Sequence, residues 1–263
     1  QLREVTRTSR MLDKILNRAP GRHAAYVGPS AFAHKGGLHS SAMQKDTRTY
    51  EHVTPETVGN MRTILVSDQS GRSNLLARLA EIGVKVEPGD PRLMLLLETV
   101  KQREFEGYSY DGAEASFEVL ARRALGLIPE YFEVEKFRVI VEKRHNAVGE
   151  LVTVSEATVL VKVHGETLHN VGEGRGPVDA LNNALRKDLG AYSPFLADLG
   201  LVDYKVRILN TGTDAITRVT VDSVDGQDAR WSTVGISDNI IEASFAALED
   251  SIRYKLLRSG AKP

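Results

Sequence analysis

The sequence predicts an α+β protein, with small helical segments first and then a pseudo-two-fold domain of two βββα units. The first observation behind this is a repeat: residues 171–185, VGEGRGPVDALNNAL, recur as residues 234–248, VGISDNIIEASFAAL, at an offset of 63. Val171, Gly172, Val178, Asp179, Ala180, Ala184 and Leu185 meet Val234, Gly235, Ile241, Glu242, Ala243, Ala247 and Leu248. Self-similarity at a fixed offset marks a duplicated structural unit. The second observation is that each copy, a turn leading into a helix, comes after a set of strand-like runs. The third is a change of apolar period, from helical to two, after residues 126–132, GLIPEYF. Two copies cannot stack into a solenoid. They build one domain with a seam between its halves, and a ligand is expected at that seam.

Taken in order, residues 2–18 read as a helix with Val5, Met11, Leu12, Ile15 and Leu16 on one face, stopped by Ala19-Pro20-Gly21. Residues 27–50, VGPSAFAHKGGLHSSAMQKDTRTY, have little periodicity and hold His34, His39 and Tyr50, with His52 just beyond. His34 and His39 are five apart, not the i, i+4 pair of a helical zinc site, and no Glu follows the first His. Two readings stand for this stretch: a surface loop with ordinary polar histidines, or a loop lending a His and a Tyr to an active site as acid, base or oxyanion donor. A helix over 72–82 comes next, with Asp68 or Ser70 as its cap and Leu75, Leu76, Leu79 and Ile82 inward. Pro91 suits the first turn of a helix running to about 106. A third helix spans 113–125, with Phe117, Leu120 and Ala124 inward. Nothing in these three helices groups into chemistry.

Strands then alternate. Phe137, Val139 and Val141 form one apolar row and Ala157, Val159, Val161 and Val163 another, around a turn at 145–149. A short strand at 169–172 leads to a helix with Pro177 in its first position. The second half repeats this: Tyr204, Val206 and Ile208, a turn at 210–214, then Thr217, Val219 and Val221, and a strand at 231–235. Ser237 or Asp238 caps the last helix, whose inward face is Ile241, Phe245, Leu248, Ile252 and Leu256.

Composition narrows the function classes. Thirty-four Lys and Arg against 35 Asp and Glu, a net charge of −1, leave no electrostatic footprint for nucleic acid or an anionic membrane. No apolar run approaches the roughly 20 residues of a membrane span, and QLREVTRTSR is not a signal peptide. Without cysteine there are no disulfides or thiolate metal sites, which fits a cytoplasmic protein. The chain begins without Met inside a helical pattern and is read as a fragment of something longer. Gly172-x-Gly174-x-Gly176 before a helix is not the dinucleotide fingerprint, since the last spacing is one residue short. It is either a tight turn needing positive φ or a place where a ligand or second chain comes close to backbone. Asp179 and Glu242 suit the positive ends of their helices. From residue 131 on, no nucleophile has a base partner and no carboxylates cluster with histidine, so a binding or regulatory domain is expected.

Four stretches, AFAHKGGLHSSAMQKDTRTYEHVTPETVGN, ILVSDQSGRSNLL, DYKVRIL and VGISDNIIEASFAAL, resemble the citramalate branch of the 2-isopropylmalate and homocitrate synthase family over essentially the whole chain. The resemblance implies the part that comes after a catalytic TIM barrel. Residues 1–66 would be the end of the barrel and linker subdomain I, 67–130 a helical linker subdomain II, and 131–263 the regulatory domain. The parent would be an acyltransferase condensing acetyl-CoA with a 2-oxo acid, pyruvate for (R)-citramalate, on the route to isoleucine. The family's metal-binding HxH pair is missing here, so the divalent metal (Mg, Mn or Zn) is expected in the barrel. The fragment itself is expected to carry no cofactor and to be inactive.

The resemblance also implies site residues. His39 and Tyr50 match a His and a Tyr that reach into the partner subunit's active site, with Ser41 where the family commonly has Asp. Gly174, Gly176, Asp179, Ile208 and Ala215 match the effector site, where Asp179 and Ile208 replace Ala of the isopropylmalate branch. The implied partners are a second copy, as a homodimer, and a branched-chain amino acid effector, isoleucine first. The rival readings are the same region of a 2-isopropylmalate or homocitrate synthase, answering to leucine or lysine, and a structural dimerisation module without effector.

Overall fold

A computed structural model describes residues 2–16, 21, 23–34, 42, 43, 45–64, 71–110, 112–209 and 215–262. The chain divides into two compact units, Gln1–Glu104 and Phe105–Pro263.

In the first unit a 3-10 turn, Leu2–Glu4, leads into α1 (Val5–Ile15). The expected apolar face is not inward: Val5, Met11, Leu12 and Leu16 are exposed, whereas Thr6 and Asp13 are buried. The side chain of Ile15 lies outside the described residues. The polar side docks because Thr6 Oγ1 donates to the Val58 carbonyl at 2.6 Å, tying α1 to the 3-10 segment Pro55–Val58. Two-residue strands β1 (Ala33–His34) and β2 (Thr63–Ile64) pair in parallel. Helix α2 (Arg72–Glu81) buries Leu75 and Leu79 and starts at Gly71 with no side-chain cap. Asp68 and Ser70, the expected caps, lie outside the described residues. Helix α3 (Pro91–Phe105) begins at its proline, as expected, and buries Leu93, Leu96, Leu97 and Val100.

The second unit starts with α4 (Glu114–Ala124), the third of the helices expected before the strands. It belongs with the sheets: Ser116 Oγ donates to Asp250 at 2.7 Å and accepts the Val234 N–H at 3.0 Å. Sheet 1 is β3 (Glu133–His145), β4 (Leu151–Val163) and β5 (Glu166–Gly174), antiparallel in that order. Helix α5 (Pro177–Lys187) and a 3-10 segment, Gly190–Leu196, connect it to sheet 2. Sheet 2 is β6 (Gly200–Ile208), β7 (Thr217–Val224) and β8 (Arg230–Ser237), again antiparallel in order, and leads into α6 (Ile240–Arg258). The α+β fold with βββα written twice is therefore what forms. The third strands are longer than the sequence suggested, and the 3-10 segment carried no sequence signal.

The duplication extends to register. The first strand of each sheet is bulged at the same place, Val134/Lys136 and Leu201/Asp203. The row Phe137–Val159–Asn170 answers to Tyr204–Val221–Thr233. One core joins both halves, drawing on the middle strands (Val159, Val161, Val219, Val221) and both helices (Leu181, Leu185, Leu248, Ile252).

The glycines have a mechanical role that differs from both sequence readings. None of Gly172, Gly174 and Gly176 has positive φ. A Cβ on Gly172 would meet Ala180 O at 2.8 Å and Ala184 Cα at 2.9 Å, and one on Gly174 would meet Asp179 C at 2.7 Å. The close approach is that of α5 onto β5. Gly235 repeats it, with Ala247 N at 2.9 Å from the same virtual atom. The cap of α6 is also corrected: Asn239, not Ser237 or Asp238, accepts the Ile241 N–H at 2.9 Å. Ser237 Oγ is taken up by the Asn239 N–H and by Glu242.

Candidate functional site

In the first unit one of the histidines that attracted notice, His34, meets a buried carboxylate. Glu51, 4% exposed at its side chain, lies 3.1 Å from His34 Nε2. It accepts a two-pronged bond from Arg62, with Nε at 2.8 Å. Burial pulls its pKa up, but the Arg62 guanidinium and His34 outweigh that and hold the carboxyl below its ordinary range. A second pair joins Tyr26 Oη and His52 Nε2 at 3.3 Å. Tyr50 closes the 3-10 turn Thr47–Thr49, which Asp46 caps through the Arg48 N–H, and the residue is 48% exposed. His39 lies outside the described residues. Sequence reading missed Glu51 and Arg62, since a carboxylate and an arginine 11 apart carry no motif.

In the second unit Gly174, Gly176 and Asp179 come together at the start of α5. Asp179 stands in the first turn of α5, and its Oδ2 accepts the N–H of Arg175, the residue before the cap, at 2.9 Å. Gly176 is the cap residue, with extended backbone and open space where a side chain would be. Ile208 ends β6 and is 65% exposed; Ala215, half-buried, lies across the β6–β7 connection. Gly174 belongs to the row Val141–Ser155–Gly174 and Ile208 to the row Ile208–Thr217–Ser237. The two groups thus occupy corresponding ends of different sheets.

The seam between the halves opens into a cleft of about 210 Å³ to its mouth, with interior room for about one water. Asn182 and Arg186 of α5 line one side, Leu199–Leu201 and Ser223 the second sheet's side, and Leu248, Ser251 and Ile252 of α6 the back. Arg186 donates from Nη2 to Leu196 O at 3.1 Å, while its Nε is shielded from solvent and has no partner. Burial pushes this guanidinium down from its ordinary pKa, with Asp198 opposing. Asp198 is itself committed, accepting the Gly226 N–H and Lys255 Nζ, each at 3.0 Å. Those two bonds, Gly226 first, hold its carboxyl below the usual range. Behind the cleft, Ser223 and Ser251 hydroxyls meet at 2.7 Å and Trp231 Nε1 donates to Ser251 at 3.0 Å. Arg186 reads in sequence as an ordinary cation of a helix's last turn. The available signal was the repeat, which sets Arg186 against Glu249, a reversal of charge.

Among the described residues no three His, Asp or Glu side chains converge as a cation site would require. No helix among them is long and apolar enough to cross a membrane.

Comparison with known proteins agrees with this division. Residues 111–256 match the family model described as LeuA allosteric (dimerisation) domain, and residues 26–103 match homocitrate synthase post-HMGL domain-like. The (R)-citramalate synthase of Geobacter sulfurreducens is 51% identical over 98% of this chain and 49% of its own length. That of Aquifex aeolicus is 47% identical over 98% of this chain and 48% of its own. The chain spans about half the length of the curated relatives it matches. The helix before the strands, both sheets, α5, the duplicated turn and all but the last two residues of α6 lie inside the first match, and by that match the chain belongs to the LeuA allosteric (dimerisation) domain family.

Proposed function

We propose that this chain is the linker and regulatory region of an (R)-citramalate synthase, a cytoplasmic enzyme that joins acetyl-CoA to pyruvate for isoleucine synthesis. In this reading the second unit binds isoleucine as feedback inhibitor and pairs two subunits. The observation that carries it is likeness to (R)-citramalate synthases through both units, 51% and 47% identical over 98% of the chain. The second unit fits a sensor, having a duplicated scaffold and a seam cleft in place of catalytic chemistry. Its edge strands fit a dimer: Val141 on β3 and Val206 and Ile208 on β6 are exposed, and each strand lies at its sheet's open side. A second copy covering them would bury the apolar surface that each helix leaves bare.

His39 and Tyr50 are proposed to reach the partner subunit's active site, where the His would assist deprotonation of the acetyl methyl group. The divalent metal implied by this reaction class is proposed to be held by the rest of the parent.

Calorimetry of this chain with isoleucine and with leucine, under parallel light scattering, tests the reading. Isoleucine binding by a dimer is expected, with about 2.7 kcal/mol of added stability at roughly 100-fold excess over Kd. Leucine preference would move the parent to the isopropylmalate branch, and the full-length enzyme's choice between pyruvate and 2-oxoisovalerate would decide that. A clean dimer that binds neither amino acid would leave a dimerisation module.

A further inference from the structure

Tyr50 stands exposed, yet its backbone is fixed from both sides. Before it, the 3-10 turn Thr47–Thr49 is capped by Asp46, and Thr49 Oγ1 donates to the Asp46 carbonyl at 2.7 Å. The Thr47 carbonyl accepts both the Tyr50 N–H, at 3.4 Å, and the Glu51 N–H, at 3.1 Å. After it, the Glu51 side chain turns inward to His34 and Arg62. His34 ends β1 and Arg62 stands one residue ahead of β2, so the carboxylate is moored where the two strands pair.

Stability alone does not account for this anchor. A carboxylate 4% exposed at its side chain, beside an imidazole at 12% and a guanidinium at 29%, has lost most of its water. The attraction within such a group roughly offsets that loss, and apolar side chains of like volume would hold the fold as well or better. What the ionic group adds is geometry. The two-pronged bond of a planar guanidinium fixes a carboxylate in direction as well as in place. A side chain held in that way fixes its own Cα, and with it the peptide that joins it to Tyr50. An aromatic residue that must meet a reacting group elsewhere needs a rigid mount, since an error of about 1 Å can cost on the order of 100-fold in rate.

We propose that Glu51 is a positioning residue: its carboxylate, gripped by Arg62 and His34, sets the backbone from which Tyr50 reaches the partner subunit's active site. This rests on the reading of Tyr50 above and names the group that aims it. Glu51 touches no substrate and acts only through its neighbour. An effect that passes through Tyr50 vanishes once the Tyr50 side chain is gone, whereas a general loss of structure persists.

A double-substitution cycle in the full-length parent decides it. The readout is kcat/KM for acetyl-CoA, with whichever of pyruvate and 2-oxoisovalerate the enzyme turns over, and circular dichroism checks that each variant is folded. Glu51→Gln keeps the shape of the side chain and removes its charge, and is expected to lower kcat/KM roughly tenfold or more. In a Tyr50→Ala background the same change should cost less than about twofold. If Glu51→Gln does not fold, Arg62→Lys takes its place in the cycle, since it keeps the charge and loses the two-pronged grip. It should cost roughly fivefold alone and less than about twofold beside Tyr50→Ala. Losses of similar size in both backgrounds, or no loss in the unaltered one, would overturn the assignment while leaving Tyr50 its role. Tyr50→Ala as active as the unaltered enzyme would overturn the reading of Tyr50, and this assignment with it.

Discussion

Gly172 and Gly235 are glycine because helix backbone occupies the space of their missing side chains. Alanine at either position must push its helix off the strand, and overpacking of this kind costs about 1–3 kcal/mol. Gly172→Ala and Gly235→Ala should therefore lower the urea midpoint of unfolding clearly. Gly176→Ala, with open space around it, should cost less than about 1 kcal/mol, from the poorer cap alone. The repeat made these positions visible in the sequence, but a Gly-x-Gly-x-Gly run looks the same whether helix or ligand approaches it. At the same scale, Lys255 clasps Asp198 and Asp225, tying the last helix to two loops. Asp225 is pulled up by burial, but the N–H groups of Gln227 and Ala229 and the Lys255 ammonium outweigh this, so both carboxyls sit below the ordinary range. A depressed carboxylate stabilises above its unfolded pKa, near 4, and loses that contribution as pH falls through its folded value. Stability should thus drop on acidification below about pH 4, and Asp198→Asn should flatten that part of a urea-midpoint profile against pH.

Among the elements, β5 shows how an exposed sheet edge is managed. Its outward carbonyls at Val171 and Glu173 are taken by Lys187 Nζ and Asn183 Nδ2 of α5, both at 2.9 Å. Such groups otherwise invite pairing with another chain. Asn183→Ala with Lys187→Ala should cost roughly 1–3 kcal/mol for two bonds and raise concentration-dependent association in light scattering. The elements themselves were legible where a period was long: β4 and β7 alternate cleanly, with one face buried. They were less so at their ends, because Ser237, Asp238 and Asn239 are all good caps and only geometry decides among them. Helix α1 was misread for a different reason. Its apolar residues are real, but Thr6 makes a specific bond and turns the polar side inward. Periodicity reports which residues share a face and not which face meets the rest of the unit.

For the molecule as a whole, the doubled βββα plan and its single core were readable from the repeat, while the partition was not. Helix α4 carries no sequence mark saying that Ser116 will bond to Asp250 and Val234. Because both sheets and both helices share one core, residues 105–263 alone should unfold in a single cooperative transition by circular dichroism. Residues 105–199, stripped of sheet 2 and α6, should show no such transition.

The glycine seats also decide how movement can travel. Helices that shear do so through a layer of side chains, changing rotamers as they slide. Under Ala180 and Ala184 there is no such layer, only the main chain of β5. At these seats helix and strand are held backbone to backbone and cannot slide past one another. Amides of α5 and β5 should then change hydrogen exchange in concert when a ligand arrives.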